Sequence, residues 1–437
     1  MKWIVPFALA LQGCTAAAPD AVPQTLDVAT WVAREAVPLD DAARAFHAFE
    51  ATLRGVRVLG LGESTHGQHE SFELRRALTL QLVWHGGARL VLFESSAARA
   101  RATAAYVSGA SGDLEAAMAG LGMLVWQVEE VAALLQDLRA WNLAASPADR
   151  VRFAGIDVQD PEAAARRIGE LVGGTPELVA RLSAWGARIE PAVRALWSGD
   201  AADYHALTAE VVELEAEVRA LGRASAELEL RLLELRSALT LYHSPGGRDR
   251  ALAELLLREL EDLPRGARAL VWAHGAHVSR GPLRYLGTDE LAMGGHVAAA
   301  LGDAYYALGA TFGTGEFLAN ALGPDGRFGF RVYRLSPAPA GSLDAVLSGA
   351  RSGSFLLDLR VTPASGPVHD WAWAEQGHRW FGGYGIRADV DTATREAAAL
   401  PRTIPAADFD GFMHLARTRA TRPRERSLIL AELPGGG

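Results

Sequence analysis

Four short apolar runs, separated by segments of helical periodicity, constrain the fold of this chain more than any other sequence feature. Each run stops at or just before an ionisable residue, and they occupy residues 56–62, 89–94, 152–157 and 268–274. Apolar runs of this length are typical of strands buried on both faces of a parallel sheet. Because helical segments alternate with them, we predict an α/β fold with a mostly parallel central sheet flanked by helices.

The middle of the chain is predicted to be a helical insertion at about residues 175–245. Residues 205–241 are rich in Ala, Leu, Glu and Arg, with apolar residues three and four positions apart. This pattern indicates a long helix or a helical hairpin, with Gly222 as the expected break. Although 437 residues allow two or three domains, we expect one α/β body over residues 26–435 that the insertion interrupts. The runs predicted to extend the sheet are 305–312, 326–334 and 354–359.

The first residues have the pattern of an export signal. A lysine precedes a short apolar run, and residues 11–14 (LQGC) resemble a bacterial lipobox, in which the cysteine is lipidated after cleavage. We therefore expect a signal peptide at 1–13, lipid on Cys14 and a tether at 14–25. The protein would be exported and anchored at the periplasmic face of the outer membrane or at the cell surface. A plain secretory signal with an incidental cysteine is the alternative.

Composition argues against several classes of function. The chain has 43 Lys and Arg against 52 Asp and Glu, and this net charge of −9 disfavours nonspecific binding to nucleic acid. Cys14 is the single cysteine, so the chain can form neither an internal disulfide nor a multi-cysteine zinc site. No stretch reaches the roughly 18 apolar residues that a membrane-spanning helix needs. The lipid anchor is therefore the only membrane contact that we expect.

Ionisable side chains follow the four predicted strands. Ligands bind beyond the carboxyl ends of the strands in open α/β sheets, so we expect these groups to meet there and to shift one another's pKa values. Arg75 follows His66 by nine residues, and one continuous helix would point the two to opposite sides. If both serve one site, His66 lies in the loop before the helix. The strand-end residues are Glu63, His66, Glu94, Asp157, His274 and His277.

Some of the same residues also fit other chemistries. The possible metal ligands are His66, His69, Glu73, His274 and His277. They lack the H-E-x-x-H spacing of zinc enzymes, and a nearby arginine would oppose a dication, so no metal site is predicted, although metal binding stays an alternative. The chain also lacks a G-x-S-x-G nucleophile elbow, because His66 stands where the second glycine belongs.

Several segments follow one another in an informative order. They are 59–67 (LGLGESTHG) with Arg75, 90–94 (LVLFE), 126–142, 153–159 (FAGIDVQ), 248–249 with 271–277 (VWAHGAH), and 407–415. In this order and spacing the chain resembles the erythromycin esterase family, which also includes succinoglycan-biosynthesis-related proteins. The resemblance extends over about residues 50–420. Gly275 departs from it, since the family usually has Asn after the first histidine of the 271–277 motif.

The resemblance implies a hydrolase that cleaves a carboxylic ester or lactone without a metal or other cofactor. His66 would act as the general base toward water. Glu63 would orient or polarise His66, and Glu94 would share the base role or position the water. The partner would be a small-molecule ester. If that ester is a macrolide, the activity would confer antibiotic resistance.

The same resemblance suggests supporting roles for other strand-end and helix residues. Arg75 and Arg248 would stabilise the developing oxyanion or hold carboxylates in place. One histidine of the 271–277 motif, His274 or His277, would protonate the leaving alkoxide. The residues expected to bind substrate are Asp157 and Trp126.

Two other functions stay open at this point. Haem- or iron-binding lipoproteins of the same broad superfamily would use these histidines as ligands, and purified protein would then show a Soret band. A metal-dependent peptidase of that superfamily would use them to hold a metal, and a chelator would then abolish its activity. The esterase interpretation is preferred because Arg75, Glu94 and His274 together fit the spacing of the erythromycin esterase family.

Overall fold

The computed structural model describes residues 26–197, 200–244, 246–322, 328–380 and 400–430. The predicted signal, lipid-attachment and tether segments lie outside these residues. Within the described residues the fold is α/β, with a nine-stranded, mostly parallel sheet flanked by helices, which confirms the predicted fold class. Among the same residues, no helix combines the length and the apolarity that crossing a bilayer requires.

The strands give the sheet a parallel centre and antiparallel margins. In chain order they are β1 Val37–Pro38, β2 Val58–Glu63, β3 Ala88–Ser96, β4 Arg152–Asp157, β5 Arg268–His274, β6 Tyr305–Leu322, β7 Phe328–Leu335, β8 Phe355–Asp358, β9 Gln376–Gly377, β10 Arg402–Thr403 and β11 Gly411–Thr418. The main sheet has the order β1-β8-β11-β6-β2-β5-β3-β4, with β7 beside β6. The run from β11 to β4 is parallel, whereas β1, β7 and β8 pair antiparallel.

The helices precede, connect and cover these strands. They are α1 Val28–Glu35, α2 Ala42–Glu50, α3 His69–Trp84, α4 Arg101–Ser108, α5 Leu114–Ala119, α6 Glu129–Ala144, α7 Pro161–Val172, α8 Pro176–Trp197, α9 Ala202–Ala220, α10 Ala226–His243, α11 Gly247–Glu259, α12 Gly275–Val278, α13 Met293–Leu301, α14 Leu343–Ala350, α15 Pro367–Ala372 and α16 Pro405–Asp408. Crossovers between parallel strands need such helices, which also bury both faces of the sheet.

Strand β5 shows how the sequence builds two hydrophobic cores. Successive side chains of a strand point to opposite faces, so Leu270 and Trp272 enter one core and Ala269 and Val271 enter the other. The first core includes residues of α3 and α6, and the second includes residues of α11 and α13. Burying each larger apolar side chain contributes about 1.5–3 kcal/mol, so β5 is fixed in the centre of the sheet.

The helical region in the middle of the chain has its own core. Helices α7 to α10 pack together around Trp185, Leu207 and Leu232, which are buried. The stretch predicted as a long helix or hairpin is two helices, α9 and α10, and Gly222 lies in the break between them. Its φ of 68° is in the left-handed region, which glycine adopts without steric cost.

Strand β6 is longer than the sequence pattern predicted. The apolar run predicted a strand over residues 305–312, but β6 continues to Leu322. Its second half leaves the parallel centre and pairs with β7 from Gly315 to Leu322. Polar and small residues interrupt the apolar run there, because an antiparallel hairpin arm does not need both of its faces buried.

Candidate functional site

The carboxyl ends of β2, β5, β3 and β4 lie side by side and bring the predicted site residues together. Glu63 stands beside His274 in the register of β2 and β5. A cavity of about 510 Å³ opens above these ends, which is a size typical of small-molecule sites. The predicted residues that line it are His66, Glu94, Arg248, His274 and His277.

Glu63 holds a histidine and an arginine at the same time. Its Oε1 atom accepts a hydrogen bond from Nδ1 of His66 at 2.6 Å, and its Oε2 atom accepts one from Nη2 of Arg75. Because the carboxylate fixes the proton on Nδ1, Nε2 of His66 keeps its lone pair when the ring is neutral. Among the described residues, Nε2 has no hydrogen-bond partner, and His66 lines the cavity.

Arg75 supports this pair from inside the protein. It is fully buried, and its guanidinium lies 4.8 Å from the ring centre of Phe72 and 4.3 Å from that of Trp272. Burial lowers the pKa of Arg75, but the adjacent Glu63 opposes this effect, and an arginine stays charged in proteins. Arg75 is therefore placed to hold Glu63 rather than to touch a ligand.

The turn that carries His66 is shaped by β6. His66 lies between the end of β2 and the start of α3, so the predicted loop position is confirmed. The carbonyl of Gly67 accepts hydrogen bonds from the amides of Leu318 and Thr421. A Cβ atom at Gly67 would lie 1.7 Å from the carbonyl oxygen of Leu318. Only glycine allows β6 to approach this closely and fix the turn.

Arg248 links the other half of the site. Its Nη2 atom donates to Oε1 of Glu94 and to Oδ2 of Asp157, both at 2.7 Å. The second oxygen of Glu94 accepts from the amide of His274 at 2.8 Å. Burial by itself raises the pKa of Glu94, but the charges of His277 and Arg248 outweigh it and lower that pKa well below its usual range.

His277 lies between carboxylates and a guanidinium. Nδ1 is 2.8 Å from Oδ1 of Asp249, and Nε2 is 2.9 Å from Nη1 of Arg248 and 3.4 Å from Oε1 of Glu94. Burial lowers the pKa of His277, but Asp249 and Glu94 outweigh burial, so the pKa is raised. His277 can thus carry a proton at the edge of the cavity.

His274 has the opposite character, although it lies three residues earlier. Its Nε2 atom faces the carbonyl of Ser64 at 3.3 Å, and its Nδ1 atom accepts from the amide of Ala276 at 3.2 Å. Burial, together with the neighbouring His66 and His277, lowers the pKa of His274 to about 3. A neutral ring that caps α12 and contacts the backbone on both sides suits a wall of the site better than a proton donor.

Trp126 and Asp157 were predicted to bind substrate, and both are fully buried. Trp126 donates from Nε1 to the carbonyl of Glu94 at 2.8 Å, and its ring centre lies 5.5 Å from that of His66. Asp157 is held against Arg248. Neither is among the described residues that line the cavity. The structure places both as supports behind the site, and direct substrate contact by either stays a prediction.

The cavity also has lining residues that the sequence did not single out. Gln159 had a usable signal, since it follows Asp157 in the 153–159 motif. Arg99 and Asp160 also lie just beyond strand ends, three residues after β3 and β4. Other lining residues come from later segments that no local pattern marks, and they include Tyr285, Asn320 and Trp380.

The histidines do not gather as a metal site. His69 bonds through Nδ1 to Glu130 at 2.6 Å, and Glu73 pairs with Arg76 at 3.0 Å. Neither His69 nor Glu73 is among the described residues that line the cavity. Within the described part of the chain, no group of three or more His, Cys, Asp or Glu side chains is arranged to hold a metal ion.

Comparison with known proteins gives this geometry a context. The model of the family described as erythromycin esterase matches residues 83–418. A curated relative, an erythromycin esterase type II from Escherichia coli, is 31% identical over 121 residues. That match covers 27% of this chain and 29% of the relative, so the chain matches less than a third of the relative's length.

Solved structures share the fold at low sequence identity. A protein from Bacillus cereus superposes with a TM-score of 0.69 at 21% identity, covering 91% of this chain and 98% of that one. A succinoglycan biosynthesis protein gives 0.68 at 18% identity, with the same coverage. A mutant of the erythromycin esterase EreC in its open conformation gives 0.59 at 17% identity, covering 85% of this chain and 94% of that one. At these identities the similarity shows the fold alone.

Proposed function

The chain belongs to the erythromycin esterase family, and we propose that it is a hydrolase that cleaves a carboxylic ester or a lactone with water activated by His66. The observation that carries this proposal is the Glu63–His66 pair, in which Nδ1 is bound at 2.6 Å and Nε2 is left for a ligand of the cavity. Such an imidazole, backed by a carboxylate, is a competent general base near neutral pH.

The first step is proton transfer from water. Nε2 of His66 takes a proton from a water molecule as the water oxygen bonds to the ester carbonyl carbon. Glu63 stabilises the imidazolium that forms, since its Oε1 atom accepts from Nδ1 throughout. Arg75 orients Glu63 from the buried side. It is a positioning residue, because it does not reach the cavity.

The second half of the site serves the charge that develops on the substrate. The carbonyl oxygen becomes an oxyanion in the tetrahedral intermediate, and Arg248 is a lining cation that can stabilise it. When the intermediate collapses, the bond to the alkoxide breaks and the alkoxide needs a proton. His277, whose pKa is raised, supplies it, whereas His274 stays neutral. Glu94 holds Arg248 and the amide of His274 in place.

A substrate panel on matched variants tests the proposal. Wild type, His66→Ala and His69→Ala are assayed with aryl esters, aliphatic lactones and macrolides. We expect His66→Ala to lose about 10²–10⁴-fold in kcat, the range for a general base. His69→Ala should retain activity, because His69 bonds to Glu130 away from the cavity.

A chelator arm separates this reaction from metal-dependent chemistry. Activity of wild type should be unchanged after treatment with EDTA. Full turnover by His66→Ala would contradict the base assignment. Loss of activity with EDTA, recovered on adding zinc, would favour a metal-dependent peptidase. Absence of hydrolysis across the panel together with a Soret band would favour haem binding.

Macrolides are one substrate class within this proposal, and macrolide resistance would follow from their cleavage. The relative from Escherichia coli is named an erythromycin esterase, which supports their inclusion in the panel. Gly275 stands where the family usually has Asn, so other esters are equal candidates. The resistance of cells that express the protein, against cells that express His66→Ala, measures this directly.

We also propose that the protein is exported and lipid-anchored through Cys14. The sequence LQGC at residues 11–14 and the position of the single cysteine support this. Cells grown with labelled palmitate should incorporate label into wild type but not into Cys14→Ser, and only wild type should sediment with membranes. Labelling of Cys14→Ser, or a soluble cytoplasmic wild type, would contradict the anchor.

A further inference from the structure

A second cavity, of about 800 Å³, is separated from the cavity of His66 by residues 96–101, at and just after the end of β3. Ser96 and Arg99 line the first cavity, whereas Ala97, Ala100 and Arg101 line the second, so the two share this segment as a wall. Strand β4 ends the sheet order and forms the base of the second cavity, which helices α4, α10 and α11 enclose.

One part of the surface of this cavity is apolar. Helix α4 contributes Ala104 and Ala105, β4 contributes Phe153, and α10 contributes Leu230 and Leu233. An apolar surface that is not filled by protein side chains loses dispersion contacts and stays costly to hydrate. A hydrocarbon segment of a ligand would cover it, in a volume within the usual range of small-molecule sites.

Arg231 is the charged group of the cavity with unsatisfied donors. It lines the cavity but is 4% exposed, and neither its Nε nor its Nη1 atom has a hydrogen-bond partner among the described residues. Its ion-pair contact is with Oε2 of Glu234 at 3.3 Å, and this oxygen also lacks a hydrogen bond. Burial raises the pKa of Glu234 to about 8, although the charge of Arg231 acts in the opposite direction.

Two of the acidic residues that line the cavity are held by other arginines. Glu227 accepts two hydrogen bonds of 2.8 Å from Arg167, and Glu259 pairs with Arg152 at 3.3 Å. These pairs leave the guanidinium of Arg231 as the inner cation. A buried arginine without bonded carboxylate oxygens is costly, because its desolvation is not repaid by hydrogen bonds.

We propose that this cavity is a second ligand site, distinct from the cavity of His66, that binds an amphipathic carboxylate. The hydrocarbon chain lies on the surface formed by Ala104, Phe153 and Leu233. The carboxylate accepts hydrogen bonds from the guanidinium of Arg231, whose planar fork matches its geometry. The site does not depend on the proposed ester hydrolysis.

Calorimetric titration with octanoate and octan-1-ol tests this site, because the two probes share a chain and differ in charge. Full-length protein should bind octanoate with one-to-one stoichiometry and at least tenfold more tightly than octan-1-ol. Arg231→Leu should weaken octanoate binding at least tenfold. Arg236→Leu is the matched control, since Arg236 lies on the same helix and lines the same cavity with an exposed side chain, and it should bind like wild type.

Two further variants locate the site and guard against a folding defect. His66→Ala should bind octanoate like wild type, which shows that binding does not depend on the proposed catalytic base. Ala104→Trp fills the apolar surface without changing Arg231 and should also abolish binding. The proposal is overturned if octan-1-ol binds as tightly as octanoate, if octanoate does not bind, or if folded Arg231→Leu or Ala104→Trp binds like wild type.

Discussion

Two histidine–carboxylate pairs border the cavity of His66, and they differ in the surroundings of the second ring nitrogen. His66 bonds through Nδ1 to Glu63 at 2.6 Å, and His277 bonds through Nδ1 to Asp249 at 2.8 Å. The two rings are buried to the same degree, at 7% and 5% exposure. The second nitrogen distinguishes them. Nε2 of His66 has no bonded partner among the described residues, whereas Nε2 of His277 lies against Arg248 and Glu94.

The difference shows how one pair of residue types produces two chemical roles. A lone pair that faces the cavity can accept a proton from water, so the His66 pair is suited to a base. A nitrogen enclosed by a guanidinium and a carboxylate is tied to a charge network, so the His277 pair is suited to holding and releasing a proton. Burial alone would not have separated them, because both rings are almost equally covered.

The comparison is tested most severely by neutralising each carboxylate in turn. Glu63→Gln should lower kcat about 10³-fold, since the amide no longer stabilises the imidazolium and also presents a donor to Nδ1. Asp249→Asn should lower kcat only about tenfold, because Arg248 and Glu94 still organise His277. Steady-state kinetics on the best ester of the panel measure both. Equal losses in the two variants would remove the distinction between the pairs.

The sequence predicted the strand ends of this site well and the roles of its residues less well. Uninterrupted apolar runs located β4 and β5 to the residue, and a spacing argument placed His66 in a loop. The roles depend on contacts between distant segments. His274 is neutral because it is buried and lies beside His66 and His277. Burial by distant segments leaves no mark in the local sequence, and Trp380 approaches the cavity from a segment without a strand-end pattern.

Arg75, which bonds to Glu63 of the Glu63–His66 pair, provides the next test. Arg75→Met should lower the free energy of unfolding by about 3–5 kcal/mol, because it leaves Glu63 as an uncompensated buried charge. Arg76→Met is the control on the same helix. Its partners Asp137 and Glu73 are partly exposed, so we expect a loss of about 1 kcal/mol or less. Urea denaturation measures both, and a small effect of Arg75→Met would mean that Glu63 does not depend on it.

The pH dependence of stability separates His274 from its neighbour His277. The pKa of His274 is lowered from 6.5 to about 3 in the folded chain. Below pH 6.5 this side chain therefore binds a proton in the unfolded chain but stays neutral in the folded chain. Stability therefore falls as the pH falls, by about 2 kcal/mol between pH 6.5 and pH 5. The raised pKa of His277 acts above pH 6.5, where its contribution is lost as the pH rises.

His274→Asn isolates the first of these effects. Asparagine keeps an acceptor for the amide of Ala276 at the start of α12, but it does not titrate. The variant should lose about 2 kcal/mol less than wild type between pH 6.5 and pH 5, measured by urea denaturation at both values. If the free energy of unfolding changed equally with pH in the two proteins, His274 would be protonated in the folded state and would not be a neutral residue of the site.

The smallest effect on stability and kcat is expected at Gly275, where β5 is followed by α12 beside the Glu63–His66 pair. A Cβ atom there would lie 3.0 Å from the carbonyl oxygen of Glu63, so Gly275→Ala must displace the backbone that carries the carboxylate. We expect a cost of about 1 kcal/mol in stability and a several-fold loss of kcat. Gly349→Ala is the control, since it meets open space at the end of α14. A fall in kcat for Gly275→Ala, with the KM unchanged, would show that Glu63 tolerates little displacement. Unchanged kinetics would show that the Glu63–His66 pair is held less precisely than its hydrogen bonds suggest.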